Sequence, residues 1–301
     1  MPRRDCRRIQ SGHIAASWAV PLGDQIVGKK ANAVARGYAD TKDGQIHFRE
    51  VAGRAPAIVF LHQTASSSAS FQFLLERLKL PNRLIAIDTP GFGGSFDPPG
   101  SPTLARYAAH VLAALDTLNV PRFHLFGQHT GANIAAVIAR RHPARTCSVM
   151  MLGLAPFSAA ERRAFRRAFE QPIRPRADGS HLLQNWAYAS DNNPGCDPEI
   201  LHGEVLSMLR AWQGRGQAYR AVSFDDALAT LRRIRVPLLL MSSPGDYFFP
   251  RFAEVCALRP DAAVAMVGGD NFPPLLDPTG VARAIEKFLR GLKSVSNGRR
   301  A

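Results

Sequence analysis

The segment Gly127-Gln-His-Thr-Gly131 offers the clearest chemistry in the sequence. It stands between an apolar, strand-like run that ends at Phe126 and an alanine-rich helical pattern that begins at Ala132. Glycines on both sides of a central residue allow the chain to turn sharply from strand to helix, which exposes that residue beside a helix N-terminus. The central residue is His129, and an imidazole is both a base and a modest nucleophile near neutral pH. The spacing therefore predicts His129 as a reactive group.

A resemblance to a known enzyme family, carried by the motifs quoted below, implies partners for this imidazole in two later loops. Ser243-Pro-Gly-Asp246 supplies the carboxylate of Asp246, and Gly268-Gly-Asp-Asn-Phe-Pro273 supplies Asn271. Either side chain would hold the His129 ring in one tautomer while the ring removes a proton from the substrate, activates a water or is transiently acylated. A shift of one residue in the second loop would put Asp270 in the place of Asn271.

Strand-like and helical patterns alternate around these loops. A hairpin is predicted over residues 38–52, with its turn at Asp43-Gly44. Apolar runs then alternate with helical patterns over residues 57–61, 71–78, 83–88, 103–118, 123–126, 132–141 and 148–152. The alternation stops between residues 156 and 235 and resumes with strands at 237–241 and 263–267 and a final helix over 279–292. Such alternation predicts an α/β fold, with a mostly parallel sheet covered by helices on both faces.

Five segments, in order, resemble motifs of the α/β-hydrolase superfamily over about residues 37–292. They are Leu61-His-Gln-Thr64, Asp88-Thr-Pro-Gly-Phe-Gly-Gly-Ser95, Gly127–Gly131, Ser243–Asp246 and Gly268–Pro273. The resemblance is to the cap-bearing esterases, dehalogenases and C–C hydrolases of that superfamily. It implies a core formed by residues 37–155 and 236–292, with an inserted helical cap over residues 156–235.

The same resemblance identifies three departures from the usual site. His129 stands where these proteins carry the nucleophilic serine, Asn271 stands in place of the catalytic histidine, and Gln63 replaces a loop glycine. The last of the nine histidines is His202, so no histidine follows Asp246 and the usual order Ser-Asp-His is absent. A loop aspartate that only caps a turn is the alternative interpretation of Asp246.

The resemblance also implies an oxyanion site and a substrate pocket. The backbone N–H groups of Thr64 and Thr130, together with Gln63, are the predicted oxyanion residues. The predicted pocket residues are His62, Ser66, His181, Trp186 and Tyr219. For His62 and Ser66 the alternative is a role in ordering their own loop, and for the three cap residues it is a place in the core.

These observations predict an enzyme that acts on a small organic molecule without metal or organic cofactor, with His129 as base or nucleophile. Hydrolysis is the activity that the resemblance implies. A lyase and a cofactor-independent oxygenase remain open, because both need a base and an oxyanion site more than a serine. A protein that keeps the pocket and only binds its ligand is the alternative from a different class.

The composition bounds the partners. Lysine and arginine number 38 against 24 acidic residues, a net charge of +14. Because much of the excess lies near the termini and no nucleic-acid-binding motif accompanies it, we expect no nucleic-acid partner. The apolar runs are far shorter than the roughly 20 residues that cross a bilayer, so no membrane span is predicted.

The remaining features concern the cysteines and the ends of the chain. The four cysteines are widely spaced and form no metal-binding pattern, which favours a reducing cytoplasm. Residues 1–36 are predicted to be a basic, disordered extension and residues 293–301 a basic tail. The oligomeric state is left open.

Overall fold

The structure is a computed structural model that describes residues 32–298, with side chains for residues 32–292. Most of the predicted basic extension, residues 1–31, lies outside the described residues, as do residues 299–301. The side-chain amide of Asn32 donates to the carbonyl oxygens of Leu75 and Leu78 at 2.8 and 2.9 Å.

Within residues 32–298, eight strands form one sheet. Their order across the sheet is β1-β2-β4-β3-β5-β6-β7-β8, and every pairing from β4 to β8 is parallel. Only the hairpin of β1 with β2 and the pairing of β2 with β4 are antiparallel. The strands are β1 Ala35–Thr41, β2 Gly44–Val51, β3 Arg54–Leu61, β4 Asn82–Ile87, β5 Phe123–Gln128, β6 Thr146–Leu152, β7 Leu238–Ser242 and β8 Ala263–Met266.

Helices cover both faces of this sheet. Those that follow core strands are α1 Gln72–Arg77, α2 Leu104–Thr117, α3 Thr130–Arg141, α9 Phe252–Ala257, α10 Pro273–Leu276 and α11 Pro278–Gly298. Strand β3 illustrates the two layers, because Val59 packs with α2 and α3 while Phe60 packs with α1 and α11. The predicted fold class is therefore confirmed. The final helix runs past its predicted end at Leu292 to Gly298.

Five helices separate β6 from β7, in the interval where the alternation was predicted to stop. They are α4 Ala159–Phe169, α5 Ser180–Asp191, α6 Pro198–Arg210, α7 Trp212–Phe224 and α8 Ala227–Leu231. Capping residues explain where two of these helices begin. Ser158 and Glu161 form a reciprocal capping box at the start of α4, and Asp197 caps α6 just before Pro198. We call residues 159–231 the helical insertion.

No helix within residues 32–298 is long and apolar enough to span a membrane. Over the same residues, no group of three or more histidine, cysteine, aspartate or glutamate side chains is arranged to hold a metal ion.

Candidate functional site

His129 occupies a strained turn between β5 and α3. Its backbone has φ 45° and ψ −112°, a conformation that L-residues with side chains rarely adopt. Gly127 and Gly131 make the turn possible: a Cβ at Gly127 would overlap the carbonyl oxygen of Gly131, and a Cβ at Gly131 would overlap that of Leu61. The turn brings the His129 side chain to the carboxyl end of the parallel strands.

The imidazole of His129 is held by Asp246. Nε2 lies 2.6 Å from Oδ2 of Asp246, whose side chain is fully buried. The other carboxylate oxygen accepts the backbone N–H of Phe248 at 2.8 Å. In the tautomer whose Nε2–H donates to the carboxylate, Nδ1 is the nitrogen without a proton. The His129 side chain is 15% exposed, so the pair is sheltered but accessible.

Gly153 leaves the space that this pair occupies. It follows β6 with φ 64°, and a Cβ there would overlap the imidazole ring and lie 2.9 Å from Oδ2 of Asp246. The ring of Phe248 packs edge-on against His129, with 5.2 Å between ring centroids. Three turns, those of His129, of Gly153 and of Asp246 with Phe248, thus meet around one imidazole.

Asn271 does not hold the ring, contrary to the alternative that assigned it this task. Its Oδ1 accepts the N–H of Tyr247 at 2.9 Å, and its Nδ2 donates to the carbonyl oxygen of Asn192 at 2.7 Å. Asn271 lines the same cavity as His129, whereas Asp270 packs against Gly245 away from it. In the structure Asn271, and not Asp270, is therefore the residue of this loop that lines the cavity, and its side chain bonds to Tyr247 and Asn192 rather than to the imidazole.

The three predicted oxyanion residues lie together at the cavity. Thr130 begins α3, so its N–H has no partner inside that helix. Thr64 lies in the loop after β3, and its carbonyl oxygen is 3.4 Å from the hydroxyl of Tyr219. The side-chain oxygen of Gln63 accepts from Nε2 of Gln128 at 3.3 Å.

Four of the five predicted pocket residues do not line the cavity. His62 orders its own loop: Nδ1 donates to the carbonyl oxygen of Gln63 at 2.7 Å, and Nε2 accepts the N–H of Thr89 at 3.1 Å. Burial lowers the pKa of His62, which fits a neutral ring with one donor and one acceptor.

Three further residues that were predicted to line the pocket do not do so, each for a separate reason. Ser66 is buried behind the cavity wall, where its hydroxyl donates to Glu204 at 2.9 Å. His181 turns to the surface and accepts the N–H of Arg176, and Trp186 lies on an exposed face of α5. Tyr219 alone of the five lines the cavity.

The cavity has a volume of about 340 Å³ and mostly apolar walls, to which eight aromatic residues contribute. The aromatic residues are Phe157, Phe165, Phe169, Tyr188, Tyr219, Tyr247, Phe248 and Phe272. The hydroxyls of Tyr188 and Tyr219 lie 3.2 Å apart, and the guanidinium of Arg215 stacks on Tyr188 from behind at 4.1 Å. Among the described residues that line the cavity, none is a lysine or an arginine.

Glu204 is the functional candidate that the sequence interpretation missed. It lines the cavity from α6, is 4% exposed, and burial raises its pKa to about 7 against the opposing hydrogen bonds from Ser66 and Gln63. The sequence does contain a sign of its burial, because the spacing of Glu204 from three apolar residues of α6 places it on their face of the helix. The buried stripe consists of Leu201, Glu204, Val205 and Met208. A carboxylate on such a stripe is rare unless it is paired or functional.

Comparisons with known proteins bear on this site. A family model described as alpha/beta hydrolase fold matches residues 56–181. The chain is 30% identical over 230 residues to 2-hydroxy-6-oxononadienedioate/2-hydroxy-6-oxononatrienedioate hydrolase 2 of Pseudomonas putida, a match that covers 69% of this chain and 77% of that protein. The chain belongs to the α/β hydrolase family.

Other relatives extend the comparison. The 2-(acetamidomethylene)succinate hydrolase of Mesorhizobium japonicum is 24% identical over 79% of this chain and 89% of its own length. A dihydrolipoyllysine-residue acetyltransferase component of an acetoin cleaving system from Cupriavidus necator is 26% identical, but the match spans only 41% of that protein.

Solved structures share the fold of this α/β hydrolase. The structure of E-2-(acetamidomethylene)succinate hydrolase has a TM-score of 0.69 at 20% identity, covering 86% of this chain and all of that one. The enol-lactonase from Burkholderia xenovorans has a TM-score of 0.68 at 20% identity, covering 84% of this chain and 100% of that chain.

Proposed function

We propose that this α/β hydrolase catalyses the hydrolysis of a small carbonyl compound, with His129 as general base and Asp246 as its positioning partner. The hydrogen bond of 2.6 Å between His129 Nε2 and Asp246, at a strained turn facing an apolar cavity, is the observation that carries the proposal. A protein that only stored a ligand would gain nothing from holding a buried carboxylate against an imidazole in a strained backbone.

The reaction follows from the orientation of the ring. Nδ1 of His129 removes a proton from a water molecule, and the hydroxide oxygen forms a bond to the substrate carbonyl carbon. The carbonyl oxygen takes up the negative charge and is stabilised by the N–H groups of Thr130 and Thr64. As the carbonyl re-forms, the bond to the leaving group breaks, and the imidazolium returns its proton to that group. Asp246 stabilises the imidazolium between the two steps, and no metal or organic cofactor is required.

We further propose that the helical insertion acts as a cap over this site. Three hydrogen bonds support this role: Tyr219 to the carbonyl oxygen of Thr64, Ser66 to Glu204, and Asn271 to the carbonyl oxygen of Asn192. Each joins the insertion to a loop at the carboxyl end of the sheet. A cap held in this way would limit the entry of water and strengthen the electrostatic interactions inside the site.

The relatives support the proposed reaction class, but their substrates are not expected to be those of this chain. The names of the two hydrolases describe substituted succinate and dienedioate or trienedioate substrates, which are dicarboxylates. A dicarboxylate in a cavity without lysine or arginine would have no charged partner among the described lining residues. The substrate of this chain is therefore expected to differ.

A ligand-binding protein without turnover is the second candidate. The observation in its favour is that the serine and the histidine of the usual site are both replaced, and that Asn271 is fully engaged with Tyr247 and Asn192. The two candidates differ in one observable, because only the enzyme consumes its ligand.

The test is turnover of a panel of aryl esters and small ketones by the wild type and by His129→Ala. We expect kcat/KM to fall at least about 100-fold in His129→Ala, in the range of lost general-base catalysis. His142→Ala, which changes an exposed histidine just after α3, is the matched control and should keep full activity. Equal activity in His129→Ala and the wild type would refute the proposed base, and ligand binding without turnover in either protein would favour the second candidate.

A further inference from the structure

Glu204 is a buried carboxyl group that the proposed mechanism does not use. It projects from α6 into the cavity, and its Oε1 accepts the hydroxyl of Ser66 at 2.9 Å, with Gln63 as a further hydrogen-bond partner. These contacts fix its position on the wall that also holds Thr64 and Tyr219. A side chain held this firmly in a cavity affects whatever ligand enters.

No cation balances this carboxyl group within the described residues. None of the ion pairs among them includes Glu204. Arg215 is the nearby arginine, but it lies behind Tyr188, where it donates to Asn185 at 3.2 Å. A charged ligand that enters the cavity therefore interacts with a carboxyl group that no described cation neutralises.

We propose that Glu204 is a specificity-determining residue that restricts the cavity to substrates without negative charge, namely uncharged aromatic or alicyclic carbonyl compounds. The inference rests on the proposed function only in treating the bound molecule as a substrate. The selection against negative charge acts on binding and does not require turnover. The aromatic walls accept the apolar body of such a molecule. The carboxyl group of Glu204, when protonated, donates a hydrogen bond to its polar group.

The physical basis is the cost of burying charge. An anion in this cavity loses its hydration without gaining a cation, and it is repelled by Glu204 once that carboxyl group is ionised. Burial raises the pKa of Glu204 to about 7, so the group is a neutral donor below that pH and an anion above it. The other titratable groups at the cavity are His129 with Asp246, Tyr188, Tyr219 and Tyr247. Cys196 does not line the cavity but interacts with Glu204, and the pKa of its thiol is raised by burial and by the nearby Asp197 and Glu204.

The test uses two aryl ketones that differ by one carboxylate group, acetophenone and 4-acetylbenzoate. Their dissociation constants are measured by isothermal titration calorimetry at pH 5.5 and 8.5 on the wild type and on Glu204→Gln. Glu199→Gln, on the exposed side of the same helix, is the matched control. In Glu204→Gln, any change of the dissociation constants between the two pH values comes from His129 and the other titratable groups. This change is therefore subtracted from the change seen in the wild type.

We expect the wild type at pH 8.5 to bind acetophenone at least about tenfold more tightly than 4-acetylbenzoate, the size of a like-charge repulsion across a partly dry cavity. The ratio of the dissociation constant of 4-acetylbenzoate to that of acetophenone should be at least threefold smaller in Glu204→Gln than in the wild type at pH 8.5. In the wild type this ratio should also be at least threefold smaller at pH 5.5 than at pH 8.5, after the change seen in Glu204→Gln is subtracted. The ratio in Glu199→Gln should equal that of the wild type.

Three results would overturn the inference: equal affinity for both ligands at pH 8.5, an unchanged ratio in Glu204→Gln, or failure of acetophenone to bind at all. If Glu204→Gln does not fold, Glu204→Ala takes its place in the same measurements and in the same subtraction. Because the readout is binding, inactive protein that still rejects 4-acetylbenzoate would refute the proposed hydrolysis and leave the charge selection intact.

Discussion

The two sides of the cavity are constructed in different ways. On the sheet side, His129, Asp246 and Gly153 are held by backbone turns at the ends of parallel strands, where one added Cβ would overlap the imidazole. On the side of the helical insertion, Glu204 and Tyr219 project from helices and reach the core loops through side-chain hydrogen bonds. The rigid side is suited to positioning a reacting nitrogen. The helical side can change its ligand preference through side-chain replacement alone.

The largest expected effect comes from changing the rigid side at Asp246. In Asp246→Asn, the amide nitrogen would donate to Nε2 of His129, which would move the ring proton to Nδ1 and remove the basic nitrogen from the cavity. We expect kcat to fall by roughly 10³- to 10⁴-fold, as when an orienting carboxylate next to a catalytic imidazole is replaced by an amide.

Steady-state kinetics on the best substrate of the panel measure this effect. Asp191→Asn, an exposed aspartate at the end of α5, serves as the control and should leave kcat unchanged. A fall of less than about tenfold in folded Asp246→Asn would mean that the orientation of the ring is unimportant, contrary to the assigned role of Asp246.

The next effect concerns stability on the helical side and its dependence on pH. The pKa of Glu204 is raised by burial from 4.5 to about 7 in the folded state. The folded protein therefore holds this proton more tightly than the unfolded chain, and the associated stability is complete below pH 4.5 and is lost as the pH rises towards 7. In Glu204→Gln the group does not titrate, so that loss should disappear.

Urea unfolding at pH 4.5 and pH 8 tests this linkage. Relative to Glu204→Gln, the wild type should lose up to about 3 kcal/mol of unfolding free energy between the two pH values. Glu199→Gln is again the control and should follow the wild type. A difference between wild type and Glu204→Gln that does not change with pH would show that folding leaves the pKa of Glu204 at its ordinary value.

The sequence predicts the sheet side well, because the constraints there are local. Gly127 and Gly131 are needed for close backbone approach, and that need is visible as spacing around His129. The choice between Asp246 and Asn271 as partner of the imidazole was not visible, since it depends on how two loops from β7 and β8 meet.

The helical side is harder to predict for a physical reason. His181 and Trp186 resemble pocket residues in type, yet the rotation of α5 directs them outward. Glu204 was marked by its place on an apolar stripe, but only packing of α6 against the loop of Ser66 shows that the stripe faces a cavity. Side-chain direction on an inserted helix depends on tertiary contacts that no local pattern specifies.

The smallest effect compares one glycine from each side. Gly153 and Gly195 both have positive φ, 64° and 78°, but a Cβ at Gly153 would overlap the His129 ring, whereas a Cβ at Gly195 would meet no atom within 4 Å. Alanine at either position should cost about 1–2 kcal/mol of unfolding free energy through backbone strain, with more at Gly153 because the ring must shift.

Activity separates the two variants. We expect kcat to fall roughly 10- to 100-fold in Gly153→Ala, because a displacement of about 1 Å at a reacting group has that cost. Gly195→Ala should retain the kcat of the wild type despite a similar loss of stability. Equal losses of kcat in both would mean that activity follows overall stability. A loss confined to Gly153→Ala would show that the imidazole needs its fixed position, because the backbone strain is common to both variants and only the contact with the ring differs.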